Sequence, residues 1–162
     1  MLAASLALGA ILAGCGGGGG AKQPAGKLVT APDFTFRAPS DWVTAVTART
    51  ASAKPDEVTL VSVTVLPLVK AYRPKLFPSV TEELDRVAQT LGKRLHGSVT
   101  ARRTTLVAGR RVRQYEITHD ELVDRLTFVL RDKQEFLLTC RWRKQDGEPA
   151  ACPQLVSSFR FR

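Results

Sequence analysis

Residues 57–66, EVTLVSVTVL, place Val61, Val63 and Val65 on one side of an extended chain and Val58, Leu60 and Leu66 on the other. Side chains alternate across a strand, and apolar residues on both faces predict a central strand covered on each side. Upstream, residues 33–38 alternate through Phe34 and Phe36, Pro39-Ser40-Asp41 turns, and residues 42–46 resume an extended run. This reads as a hairpin or a sharp corner between two short strands. Residues 48–56 are small and polar and close on Pro55-Asp56, so they read as a loop. Past Pro67, Pro74 and Pro78 the period changes. Val80, Leu84, Val87, Leu91 and Leu95 form one helical stripe over residues 79–95. Ser79 and Glu82 form a capping box for it, and Gly97 ends it.

Residues 98–107 and 110–118 flank Ala108-Gly109 as a hairpin. Residues 122–131, with Leu122, Leu126, Phe128 and Leu130 inward, meet residues 134–143 across a tight turn at Asp132-Lys133. Phe136, Leu138, Cys140 and Trp142 share a face, and a last helix over residues 149–159 shows Cys152, Leu155, Val156 and Phe159. Strands, helix, four strands, helix: the order predicts α+β, an antiparallel sheet flanked by helices.

The first residues break this pattern. Residues 1–13, MLAASLALGAILA, are small or apolar throughout, and no charge occurs before Lys22. The run is too short for a membrane span, which needs about 20 residues, and it suits an export signal. Leu12-Ala13-Gly14-Cys15 resembles the lipobox of bacterial lipoproteins. That resemblance implies acylation of Cys15 and cleavage before it. The expected division is signal peptide 1–14, lipidated Cys15 with a Gly-rich tether over 15–27, and one domain over 28–162. Export signals carry a basic segment ahead of the apolar run; here it would lie upstream of Met1. The expected location is the outer face of the cell membrane, held there by lipid.

With Cys15 acylated, two cysteines remain, both on inward faces. In an oxidising compartment they predict a Cys140–Cys152 disulfide that staples the last helix to the sheet. A redox-active pair would need the shorter Cys-X-X-Cys spacing.

Charge adds a candidate surface. Lys and Arg number 24 against 15 Asp and Glu, a net charge of +9. Arg102, Arg103, Arg110, Arg111 and Arg113 flank one hairpin. With Ala108-Gly109 as its loop, Val107 opposes Arg110 and Thr104 opposes Arg113. Alternation then sets Arg102, Arg111 and Arg113 on one face and Arg103 and Arg110 on the other. The plain reading is a solvated basic surface; the functional one is a patch for anionic headgroups, cell-wall phosphates or an acidic partner. Export and the lack of interleaved aromatics argue against nucleic acid.

Catalytic signals are weak. No G-x-S-x-G elbow occurs. His96 reads as a helix C-terminal residue and His119 as a solvated turn residue. His119, Asp120, Glu121 and Asp124 could hold a hard cation but lack the glycine turn of a calcium loop, and read as a solvated hairpin end. No cofactor or metal is expected. Trp42 and Trp142 read as core.

The phrases Asp33-Phe34-Thr35-Phe36-Arg37-Ala38-Pro39-Ser40-Asp41-Trp42 and Leu155-Val156-Ser157-Ser158-Phe159-Arg160-Phe161 resemble the opening and closing segments of the Mog/PsbP-like α/β/α sandwich, and Leu106-Val107-Ala108-Gly109-Arg110-Arg111 resembles its hairpin. LpqN-type lipoproteins of mycobacteria and DcrB-type lipoproteins of enterobacteria combine a lipobox, a short tether and such a domain, and the Arg-rich balance is compatible with an actinobacterium. The resemblance implies a non-enzymatic binding or accessory module at the cell envelope, with no catalytic residues to carry over; the domain is expected to be monomeric, with an envelope protein or glycolipid as partner. The alternative is a carrier that encloses an apolar lipid tail between sheet and helices.

Overall fold

The structure, a computed structural model, describes residues 26–162. Strands β1 (Lys27–Thr30) and β2 (Phe34–Ala38) pair antiparallel, and a two-residue strand at the C-terminus, β9 (Arg160–Phe161), joins β2 to complete a small sheet. The larger sheet holds β3 (Val43–Val46), β4 (Thr50–Lys54), β5 (Leu60–Tyr72), β6 (Ser98–Val107), β7 (Arg110–His119) and β8 (Leu122–Arg143) in the order β3-β4-β5-β8-β7-β6, with antiparallel pairing throughout. Because β2 and β3 lie in different sheets, the Pro39-Ser40-Asp41 segment is a corner, not a hairpin.

A straight 22-residue strand would run about 70 Å, and β8 does not. It reverses at Asp132-Lys133, where Asp132 takes φ +51°. The Lys144 N–H then meets the Glu121 carbonyl at 2.9 Å, and Arg141 meets Asp124. β7 pairs with the first arm, over residues 122–128, and β5 with the second, over residues 134–141. The expected tight turn is therefore the centre of the sheet.

Two helices cover the sheet from opposite sides. Helix α1 (Phe77–Arg94) packs on β7 and β6, burying Leu84 and Ala88 against Tyr115, Ile117, Leu126 and Phe128. Helix α2 (Ala151–Ser158) and the small sheet cover the other face, where Phe34, Phe36, Phe136 and Phe159 stack among Val61, Val63, Leu138 and Trp142. Trp42 is also buried there. Among the described residues both cores are drawn from positions 29–161, so the packed interior lies within that span. Among the described residues no helix is long and apolar enough to cross a membrane.

Four expectations need correction. Residues 50–54 are a strand and not a loop, because Ala51 and Ala53 bury completely at alternate positions and need only small side chains to do so. The capping box does not form. A 3-10 turn at Pro74–Leu76 leads directly into α1 two residues early, Pro78 sits in the first turn, and no side chain caps the helix. The last helix is shorter than residues 149–159, ending at Ser158 before β9 takes over. Finally, β5 does not stop at Pro67, and α1 leaves its Leu66 face open.

Candidate binding site

The hairpin of β6 and β7 forms in the expected register, Val107 opposite Arg110 and Thr104 opposite Arg113. Its five arginines do not make one patch. Arg113 is bound to α1, its Nη2 donating to Asp85 Oδ1 at 3.1 Å, while the Tyr115 hydroxyl donates to the same oxygen at 2.7 Å. Burial opposes ionisation of Asp85, but the Tyr115 and Arg113 hydrogen bonds outweigh it and hold the pKa below the ordinary value. Burial first, then the Asp85 carboxylate, push the Tyr115 hydroxyl far up. Arg103 lies on the opposite face and donates to Gln114. Arg102 is exposed on the edge strand.

Arg110 and Arg111, at the hairpin tip, differ from these. The Arg111 guanidinium lies over the Phe77 ring at 4.6 Å and that of Arg110 over Phe161 at 5.4 Å. Neither has a carboxylate within ion-pair distance among the described residues. Together with Tyr72, Pro74 and Phe77 they line a cleft of about 520 Å³. Burial raises the Tyr72 pKa, and the two arginines oppose the rise.

Tyr72 also lines a second, apolar groove of about 420 Å³. Its origin lies in the chain. Pro67 lacks an N–H for the ladder, and there the pairing of β5 with β8 loses register. Pro67 faces Gln134, yet Tyr72 faces Asp132, so Leu68 to Ala71 stand against Lys133 alone. The bulge lifts Val69 to 97% exposure and opens a slot toward α1. Leu68, Leu76, Val80, Val87 and Leu130 give the slot an apolar lining, and Glu135 sits within it. No hydrogen bond or ion pair to the Glu135 carboxylate occurs among the described residues, and burial raises its pKa. Sequence reading missed this groove.

His119 is not a solvated turn residue. It is buried, with Nε2 2.9 Å from Asp124 Oδ2. Asp124 is also buried and takes Arg141 Nε at 2.6 Å and Nη2 at 2.9 Å. Of the expected solvated cluster only Asp120 and Glu121 are exposed. The β8 reversal is the cause, because it carries Arg141 over Asp124 and covers His119. A second buried network joins Arg125 to Glu116 (Nε to Oε1, 3.0 Å) and Glu148 (Nη2 to Oε2, 2.7 Å) beneath Trp142. Both networks pair their arginine with carboxylates inside the fold. Among the described residues no three His, Cys, Asp or Glu side chains converge as for a metal ion. His96 is exposed just past the end of α1, in the left-handed region at φ +54°. Cys140 and Cys152 are joined, with Cα atoms 5.6 Å apart. Cys15 lies outside the described residues.

No protein-family model matches the chain, and no curated protein matches it. Solved structures do. The solution structure of cyanobacterial PsbP (CyanoP) from Synechocystis sp. PCC 6803 superposes with a TM-score of 0.59 at 11% identity, over 80% of this chain and 86% of that one. The fold is PsbP-like. A crystal structure from Bacteroides thetaiotaomicron VPI-5482 matches with a TM-score of 0.51 at 12% identity, over 80% of this chain and 45% of that one. At such identities the likeness concerns the α+β fold alone. In this PsbP-like domain, the groove and the arginine tip sit together at the end of the sheet where β5 enters α1 and β6 turns into β7.

Proposed function

We propose that the chain is an exported lipoprotein, held by acyl groups on Cys15 at the outer face of a bacterial cell membrane, whose PsbP-like domain is a non-enzymatic binding module for an anionic envelope component. The lipobox-like Leu12-Ala13-Gly14-Cys15 and the glycines that follow support the anchoring. Two acyl chains suffice for stable attachment where one does not. The observation that carries the binding reading is the pair Arg110 and Arg111. Their charges have no carboxylate among the described residues and stand beside Tyr72 on an aromatic-lined cleft. The buried or half-buried Arg113, Arg125 and Arg141, by contrast, are matched within the fold. The PsbP-like fold is in keeping with an accessory role.

Two measurements test this. Metabolic labelling of the full chain with an alkyne fatty acid should mark the wild type and not Cys15→Ser. Phosphatidylglycerol vesicles should retain the domain, with binding that weakens as salt is added and is lost in Arg110→Glu/Arg111→Glu. Retention that ignores salt and both arginines would overturn the binding reading. The carrier alternative is favoured by one specific observation, the apolar groove between β5 and α1.

A further inference from the structure

We infer that the groove between the β5 bulge and α1 holds the hydrocarbon chain of a single-chain fatty carboxylate whose head group pairs with Arg111, the tip arginine on the α1 face. The assignment rests on the reading of the domain as a binding module and names its ligand class.

The two halves of the site are contiguous. Tyr72 lines both the groove and the arginine cleft, while Leu76 of the groove and Phe77 of the cleft are consecutive residues. One end is thus hydrocarbon and the other cationic, the complement of an anionic amphiphile. A methylene occupies roughly the 30 Å³ of a water molecule, so about 420 Å³ admits one chain of a dozen or so carbons and not two. A carboxylate suits the head position, since a guanidinium presents parallel N–H groups to its two oxygens. Phe77 holds the face of the Arg111 guanidinium, which leaves its edge to donate. Tyr72 adds a hydroxyl at the junction of cleft and groove.

The remaining charges agree. Lys70 and Glu83 rim the groove, and Glu83 is bound to Arg86. Glu135 lines the groove and not the arginine cleft. It meets the chain rather than the carboxylate.

Residues 26–162 would be titrated calorimetrically with decanoate, dodecanoate and tetradecanoate, each below its micelle threshold, and with dodecanol. Affinity should rise between about two- and fourfold per methylene, the upper figure being that of full burial, and level off once the groove is filled. Arg111→Ala should weaken dodecanoate about tenfold or more. Ala71→Trp, at an exposed position lining the groove, should block binding without touching the core. Chain-length independence, dodecanol binding as tightly as dodecanoate, or full affinity in either variant would overturn the assignment. Phosphatidylglycerol vesicles form the second arm. If they bind with arginine dependence while the carboxylates do not, the groove assignment falls and the binding-module reading stands; if neither binds, both fall.

Discussion

Removing the Cys140–Cys152 bond is the most informative perturbation of stability. The two residues are twelve apart in sequence, both buried, and they tie α2 to the second arm of β8. A cross-link acts mainly by limiting the unfolded chain, and a loop of this size contributes about 3 kcal/mol in the chain-entropy relation. A domain of the described length, residues 26–162, has an unfolding entropy at which about 3 kcal/mol corresponds to a fall of roughly 10 °C in Tm. The assay is thermal and urea unfolding of residues 26–162 with and without reductant. Mass spectrometry would verify that the oxidised form is two hydrogens lighter. Cys140→Ala/Cys152→Ala serves as a second reduced form. The urea m-value should rise on reduction, since a chain without the cross-link exposes more surface when unfolded. A fully reduced protein that melts within a degree or two of the oxidised one, with the same m-value, would refute the reasoning.

Two further outcomes are expected. Burial raises the folded-state pKa of Glu135, so the folded domain holds that proton more tightly than the unfolded chain and loses stability as pH climbs from the ordinary carboxylate value through the raised one. Glu135→Gln should therefore raise Tm at neutral pH, and the gain should vanish below about pH 4; an equal gain at both pH values contradicts the burial argument. Gly97→Ala would set a Cβ 2.3 Å from the Thr118 carbonyl oxygen. The backbones of β6 and β7 must part to admit it, for about 1–3 kcal/mol, and an unchanged Tm would show that the approach is looser than described.

Much of the architecture was legible because single residues announced it. Asp132-Lys133 marked the centre of the sheet, and Ala108-Gly109 fixed a register that placed all five hairpin arginines on their correct faces. The losses have separate physical causes. β4 hides in TASAK because alanine buries without looking hydrophobic in a run of serine and threonine. The capping box failed because a 3-10 turn and Pro78 had already started the helix. The burial of His119 was within reach. A turn at Asp132-Lys133 sets residue 131 against 134, and counting outward sets Asp124 against Arg141. What had no sequence signal was the groove. It depends on how many residues of β5 slip past one residue of β8, and Pro67 says only that the ladder falters there.

The outer position of β6 gives its arginines a meaning independent of any ligand. Among the described residues β6 ends the larger sheet, with one side of its backbone open to another strand. Arg102 and Arg103 occupy consecutive positions there, one on each face. A second copy docking antiparallel along that rim, with Arg102 set against the copy's Arg103, would bring guanidinium toward guanidinium on both faces, and like charges brought together across paired strands destabilise the pairing. The basic rim thus disfavours the centred edge-to-edge register of two such strands. The opposite rim, β3, relies instead on being only four residues long.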